Sequence, residues 1–145
     1  MALQLNTYAR TTANITSWHT RGTLFAASGT ARTILVYPTT VSYPISPVNN
    51  YQALPTGHML SLTGQGMTTS GTSIIFSSVP SMSALLSGTA SWFAVYSTTG
   101  STSSAGLVMI SDSVGISGSS SILTLSSLTM TSGQTITASF ALTFT

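Results

Sequence analysis

Ionic side chains are almost missing from this chain. Among its 145 residues the strong cations are Arg10, Arg21 and Arg32, the one acid is Asp112, and lysine is absent. A soluble domain ordinarily carries about a quarter charged residues. The pI near 9.4 therefore describes three arginines set against one aspartate, and not a basic surface. Phosphate binding scales with the number of neutralising cations, so three arginines in the N-terminal third argue against direct contact with nucleic acid. A single carboxylate excludes the paired-carboxylate chemistry of most glycoside hydrolases. A chain without lysine cannot build a phosphate loop, and no Gly-x-Gly-x-x-Gly occurs. Cysteine is absent too, which removes disulfides and thiolate metal sites and leaves stability to packing and backbone ladders.

Long apolar runs are also lacking. Apolar residues come in fours and fives broken by Ser, Thr and Gly, well short of the roughly twenty that a membrane-spanning helix needs, so no membrane partner is expected. Met1 to Asn6 has neither a cationic region nor a continuous apolar one, so no signal peptide is expected and folding in a cytoplasm is. In that setting Asn14-Ile15-Thr16 is a chance match to the glycosylation sequon.

What the chain does have is a dense aromatic run. Gly88-Thr89-Ala90-Ser91-Trp92-Phe93-Ala94-Val95-Tyr96 is bracketed by Gly88 and by Ser97-Thr98-Thr99-Gly100. A strand alternates its faces with period two, which sends Trp92, Ala94 and Tyr96 one way and Phe93 and Val95 the other. Both parities are apolar, so the segment reads as a central strand covered on both sides. At this length the chain suits one domain with a real core.

The C-terminal pattern is the clearest. Ile122 to Met130 and Thr135 to Thr145 read as the arms of a hairpin turning at Thr131-Ser132-Gly133-Gln134. In the second arm Ile136, Ala138, Phe140, Leu142 and Phe144 share one parity. Thr135, Thr137, Ser139, Thr143 and Thr145 share the other with Ala141, as expected for a strand with one core-facing side. Further strands are expected at Thr33 to Tyr37, stopped by Pro38, at His58 to Thr63 and Thr72 to Ser77 as antiparallel neighbours, and at Leu107 to Ile110. The last of these should end at Ser111-Asp112-Ser113, with a turn over Gly115 to Ser120. Val79 to Ser87 reads as a helical turn or a loop over the core. Regular short strands with small polar turns predict an all-β domain over residues 32–145, an antiparallel β-sandwich or jelly-roll-like barrel.

Residues 1–31 are the least sheet-like. Asn6 could cap a short helix over Thr7 to Thr20 with Tyr8, Ile15 and Trp18 on one face, although a threonine-rich stretch disfavours helix. The competing reading is an extended arm from Met1 to Arg10 that docks on a neighbouring subunit. Between Pro38 and Pro55 four prolines and Asn49-Asn50 indicate an ordered excursion. Its Tyr43 and Tyr51 mark a candidate contact loop, or else pin the excursion to its own domain.

Candidates for chemistry are weak. His19, His58 and Asp112 could converge on a metal or, with a serine, form a triad, but they lack ligand spacing and no Gly-x-Ser-x-Gly elbow occurs. The sequence therefore assigns no catalytic, cofactor-binding or metal residue and implies no cofactor. Asp112 reads as an acceptor of local backbone hydrogen bonds in a turn, ahead of a salt bridge to an arginine. Trp92 reads as core rather than as part of a sugar-stacking platform with Trp18. With so little like-charge repulsion between copies, association into a multimer is expected.

Several segments together carry a resemblance: Met1-Ala2-Leu3-Gln4-Leu5-Asn6 leading to Arg10, the strand at Thr33 to Tyr37, Gly57 to Thr63, Gly88-Thr89-Ala90-Ser91-Trp92-Phe93, and Thr131-Ser132-Gly133-Gln134-Thr135-Ile136. They resemble small virion structural proteins of tailed bacteriophages, of the head decoration (cement) type. This chain is poorer in acidic residues and carries the proline-rich insert. The resemblance implies a non-enzymatic protein on the outer capsid surface of a virion, a homo-oligomer, in all expectation a trimer, that binds the major capsid protein and stabilises the head. It implies an arm with Leu3, Leu5 and Tyr8 as apolar anchors and Arg10 as a charged latch. A tail, collar or adhesion module, with or without glycan binding, is the alternative.

Overall fold

The computed structural model describes residues 4–5, 31–41, 52–53, 55–63, 67–70, 73–76, 78–98 and 105–143. Among them there is no helix, and a 12-stranded sheet curls into a half-barrel. The expected all-β class is what the chain adopts. The helix expected over residues 7–20 lies outside the described residues.

The sheet is organised on three long neighbours. β2 (Ala31–Pro38) and β9 (Ala105–Ile116) flank β8 (Gly88–Thr98), both antiparallel to it. Register then dictates packing. Ile34 pairs with Val95 and Val36 with Phe93, while the alternate pairs are Leu35 with Ala94 and Tyr37 with Trp92. The first set enters the main core and the second forms a separate cluster on the opposite face. The aromatic run is therefore the central strand its two apolar parities predict. Pro38, which has no N–H to give the ladder, ends β2 at a register shift opposite Ala90.

The second half of the half-barrel closes the core from the other side. β12 (Thr135–Thr143) buries Ile136, Ala138, Phe140 and Leu142 and exposes every alternate residue, as the period-two pattern requires. It pairs antiparallel with β10 (Leu123–Leu125), β6 (Ser73–Phe76) and β7 (Ser81–Ser83) along its length. Phe140 meets Phe76 with ring centroids 5.5 Å apart. Leu123 and Leu125 join Phe93, Val95 and Val114 in the same core.

Several expectations about partners need correction. The segments 58–63 and 72–77 are not neighbours. β4 (Leu60–Thr63) pairs with β2, whereas β6 pairs with β12 and with an unforeseen strand, β5 (Met67–Ser70). β4 and β5 thus terminate the strand path at opposite ends. Residues 79–87 contain a strand, β7, and not a helical turn. The arm 122–130 is split, because after β10 the chain leaves β12 and β11 (Thr129–Met130) pairs with β8. β9 does not stop at Ser111 but runs through Asp112 to Ile116. The sheet is also mixed rather than wholly antiparallel, since β10 runs parallel to the end of β9.

That parallel step depends on Gly115. Parallel neighbours normally need a crossover of a dozen or more residues, yet here only residues 117–122 connect them. The link turns at Gly118 (φ 91°), with Ser119 N–H donating to Ile116 O and Ser117 N–H to Leu125 O. The link then folds back over Gly115, where a Cβ would overlap Ser119 Oγ and the Ser121 side chain. At the other end of β12, Gly133 (φ 89°) takes the left-handed position of the expected turn, and Gln134 N–H donates to Thr131 O at 2.9 Å.

We expect Gly115→Val to destabilise the fold by about 1–3 kcal/mol, in the range of overpacked cores. Gly118→Ala, strained in backbone but unopposed in space, should cost about 1 kcal/mol. Thermal unfolding followed by circular dichroism measures both, and a larger loss for Gly118→Ala than for Gly115→Val would contradict the packing account.

Candidate functional site

One continuous described surface is the outer face of β12. Thr135, Thr137, Ser139, Ala141 and Thr143 are all exposed along it. Register sets Ser83 beside Thr135, Ser81 beside Thr137 and Ser73 beside Thr143, and Ser81 and Ser83 are exposed as well. Ser73 Oγ and Thr143 Oγ1 lie 2.7 Å apart, while Ser126 Oγ accepts the Thr137 N–H at 3.0 Å. The face is uncharged and, Ala141 apart, hydroxylated. It can exchange hydrogen bonds with a partner but offers no general acid, base or nucleophile-activating group.

Beside one end of this face the chain exposes apolar side chains. Leu85 and Leu86 sit in the β7–β8 connection, which clasps the Thr131–Gln134 turn. Ala84 O accepts the Gly133 N–H, Ala84 N–H donates to Gln134 O, and Ser132 Oγ donates to Leu85 O. Thr131 N–H is taken by Gln134 Oε1 and Ser132 N–H by Ser87 Oγ. These bonds hold the two leucines on ordered backbone. Val79, before β7, is exposed too.

The other organised feature is the aromatic cluster on the far face of β2 and β8. Tyr37 and Trp92 are cross-strand partners and stack at 4.2 Å with 15° between their planes, and His58 meets Tyr37 edge-on at 6.3 Å. Both rings are fully buried, so each polar tip needs a partner. Trp92 Nε1–H donates to Val41 O at 3.0 Å, and the Tyr37 hydroxyl donates to Pro55 O at 3.0 Å. Val41 and Pro55 are the two roots of the proline-rich excursion. The sheet therefore grips the excursion at both ends, and β3 (Gln52–Ala53) adds a pairing with the start of β9.

The candidate residues fall as follows. Trp92 is core, as read, and has no exposed face to offer a sugar. Tyr43 and Tyr51 of the contact loop lie outside the described residues, as do Leu3, Tyr8 and Arg10 of the arm, Trp18 and His19. Leu5 lies in β1 (Gln4–Leu5), which pairs with β9 of its own chain, Leu5 opposite Ile110. Asp112 Oδ1 accepts the Ser113 N–H at 2.7 Å. The local backbone role read for it is present, although in a strand and not in a turn. His58 is half-buried against Tyr37 and is not brought to Asp112 in any metal cluster. Among the described residues no group of three His, Asp, Glu or Cys side chains could hold an ion. Sequence reasoning missed the pinning role of Tyr37 and Trp92. The available signal was a tyrosine directly before Pro38 and a tryptophan on a two-faced strand.

No family model matches the chain, and neither a curated protein nor a solved structure matches it.

We expect Trp92→Phe to keep a ring against Tyr37 and lose the bond to Val41. It should cost about 0.5–1.5 kcal/mol for that bond plus a packing loss for the vacated part of the fully buried indole. Amide exchange should rise selectively in peptides covering 38–55, as read by mass spectrometry. A uniform rise across the sheet would show that the indole does not act on the excursion.

Proposed function

We propose that the chain is a virion structural protein of a tailed bacteriophage, a capsid decoration or cement protein that binds the shell of major capsid protein and stabilises the head. The observation that carries the proposal is the exposed, uncharged, hydroxylated face of β12 on a chain with almost no ionic groups. Such a face holds a partner through hydrogen bonds and shape, while the exposed leucines beside it add apolar burial. Neither interaction is much screened by salt. Many weak contacts of this kind, repeated by a homo-oligomer over a shell, add by avidity without a strong single site.

The arm reading belongs to the same proposal. Leu3, Leu5 and Tyr8 would anchor residues 1–10 on a neighbouring subunit, with Arg10 as the latch. Because β1 supplies ladder pairing to the middle of β9, the neighbour would receive the same kind of backbone pairing from an arm that leaves its own chain. Tyr43 and Tyr51 would contact the shell from an excursion whose roots are fixed by Trp92 and Tyr37.

The test uses heads assembled without this chain, to which the purified protein is added and its copies per particle are counted by quantitative mass spectrometry. We expect binding at many equivalent sites over the shell, retained after sedimentation in about 1 M NaCl, and reduced occupancy when residues 1–10 are deleted. Binding lost in molar salt would overturn the proposal. A copy number fitting one vertex would move the protein to the collar or tail.

A further inference from the structure

The half-barrel is open, and its two terminal strands are the consecutive β4 and β5. Proteins ordinarily protect such edges with lysine, proline, a bulge or a covering segment. Here β4 reads Leu-Ser-Leu-Thr and β5 reads Met-Thr-Thr-Ser, without charge or proline, and both pair in regular register with their single ladder neighbours among the described residues. The β4 end is partly occupied, since Met59 O just before it already accepts the Leu85 N–H. Among the described residues no comparable bond reaches β5, which is the more open of the two. Its ladder with β6 closes at Ser70 opposite Ser73, a two-residue connection whose closing pair exchanges hydrogen bonds. Alternation along the strand then turns the backbone N–H and C=O of Thr68 and Ser70 toward β6, and those of Met67 and Thr69 toward the open side.

We infer that the β5 edge is a strand-pairing site for a second copy of this chain. The inference deepens the oligomer that the virion reading includes by naming its surface, and it commits to a copy of this chain on three grounds. A strand edge is complementary to another strand edge through backbone alone. Met-Thr-Thr-Ser set against an equally uncharged edge meets no like-charge repulsion, the usual barrier to self-pairing. The net charge of +2 on the whole molecule adds little long-range repulsion between copies. Pairing β5 with β5 of the second copy gives a two-fold dimer, and pairing β5 with the β4 edge of the next copy is head-to-tail and gives a ring where the rotation closes and a filament where it does not.

The test is sedimentation equilibrium of the purified full chain beside two variants, with near-ultraviolet circular dichroism to check folding. Thr69→Pro removes one outward N–H and leaves the β5–β6 ladder its donors, so self-association should weaken by roughly two- to tenfold for each bond lost. Thr68→Lys places a charge at the edge. Its association should weaken at low salt and recover as salt screens the repulsion, a recovery that misfolding would not produce. A wild-type monomer at high concentration would overturn both this site and the oligomer it serves. A wild-type oligomer unmoved by either folded variant would overturn the β5 site alone, and shell binding, measured separately on heads, would stand or fall apart from it.

Discussion

Burial of β8 on both faces is the constraint from which the rest of the fold follows. A strand whose two parities are both apolar requires two covers, and the chain supplies them from different places. The half built on β12 covers Phe93 and Val95. Trp92 and Ala94 are packed with Leu35, Tyr37 and Val41. The second packing also carries two polar tips into the interior, and an unsatisfied buried donor would cost about 1–3 kcal/mol. The Val41 and Pro55 carbonyls meet those donors. The proline-rich excursion is thus not an ornament added to a finished sheet, because its roots complete the burial of the central strand.

With charge nearly absent, hydroxyl and amide side chains take over work that ion pairs share in other proteins. Ser117 Oγ donates to Leu125 O where β10 runs beside β9, and Ser126 Oγ accepts the Thr137 N–H where the chain leaves β12. Ser87, Ser132 and Gln134 hold the Thr131–Gln134 turn against the β7–β8 connection. Each bond is short-range and directional. They fix turns and strand ends in place without creating any long-range field.

Side-chain periodicity made the strands legible but not their partners. β12 could be read residue by residue because one face is hydroxylated and the other apolar, and β8 because both faces are apolar. Pairing is decided elsewhere. β5 and β6 form their own hairpin, so 58–63 was free to pair with β2, and nothing in the local pattern of either segment records that choice. The run Ser111-Asp112-Ser113 looks like a turn because its residues favour turns. It is strand because β8 pairs with it on one side, while on the other β9 passes from β1 to β10 at this point and the Asp112 carboxylate takes up the Ser113 N–H in the interval. The parallel β9–β10 step escaped for a related reason. Gly115 and the serines after it read as a plain turn, and only their close approach in space shows a link folded over the strand it has just left. Of the candidate site, the hydroxylated parity of β12 was visible in the sequence, while the grip of Tyr37 and Trp92 on the excursion was not. It joins residues 18 and 51 positions apart, and no local pattern encodes a contact of that span.

The exposed face of β12 also bears on how a nearly uncharged protein can remain specific. An apolar face of that size would adhere to any other apolar face. A charged one would attract any opposite charge within about 10 Å, the screening length at moderate salt. Hydroxyls do neither, because water satisfies them as well as most partners do and the net gain per bond is small. Attachment therefore requires many bonds made at once, by a surface whose donors and acceptors match a fixed spacing. The backbone of β12 sets that spacing, with a repeat of roughly 7 Å between side chains on one face and about 4.8 Å between neighbouring strands. A partner that met this face would have to repeat its donors and acceptors at the same spacing over several residues.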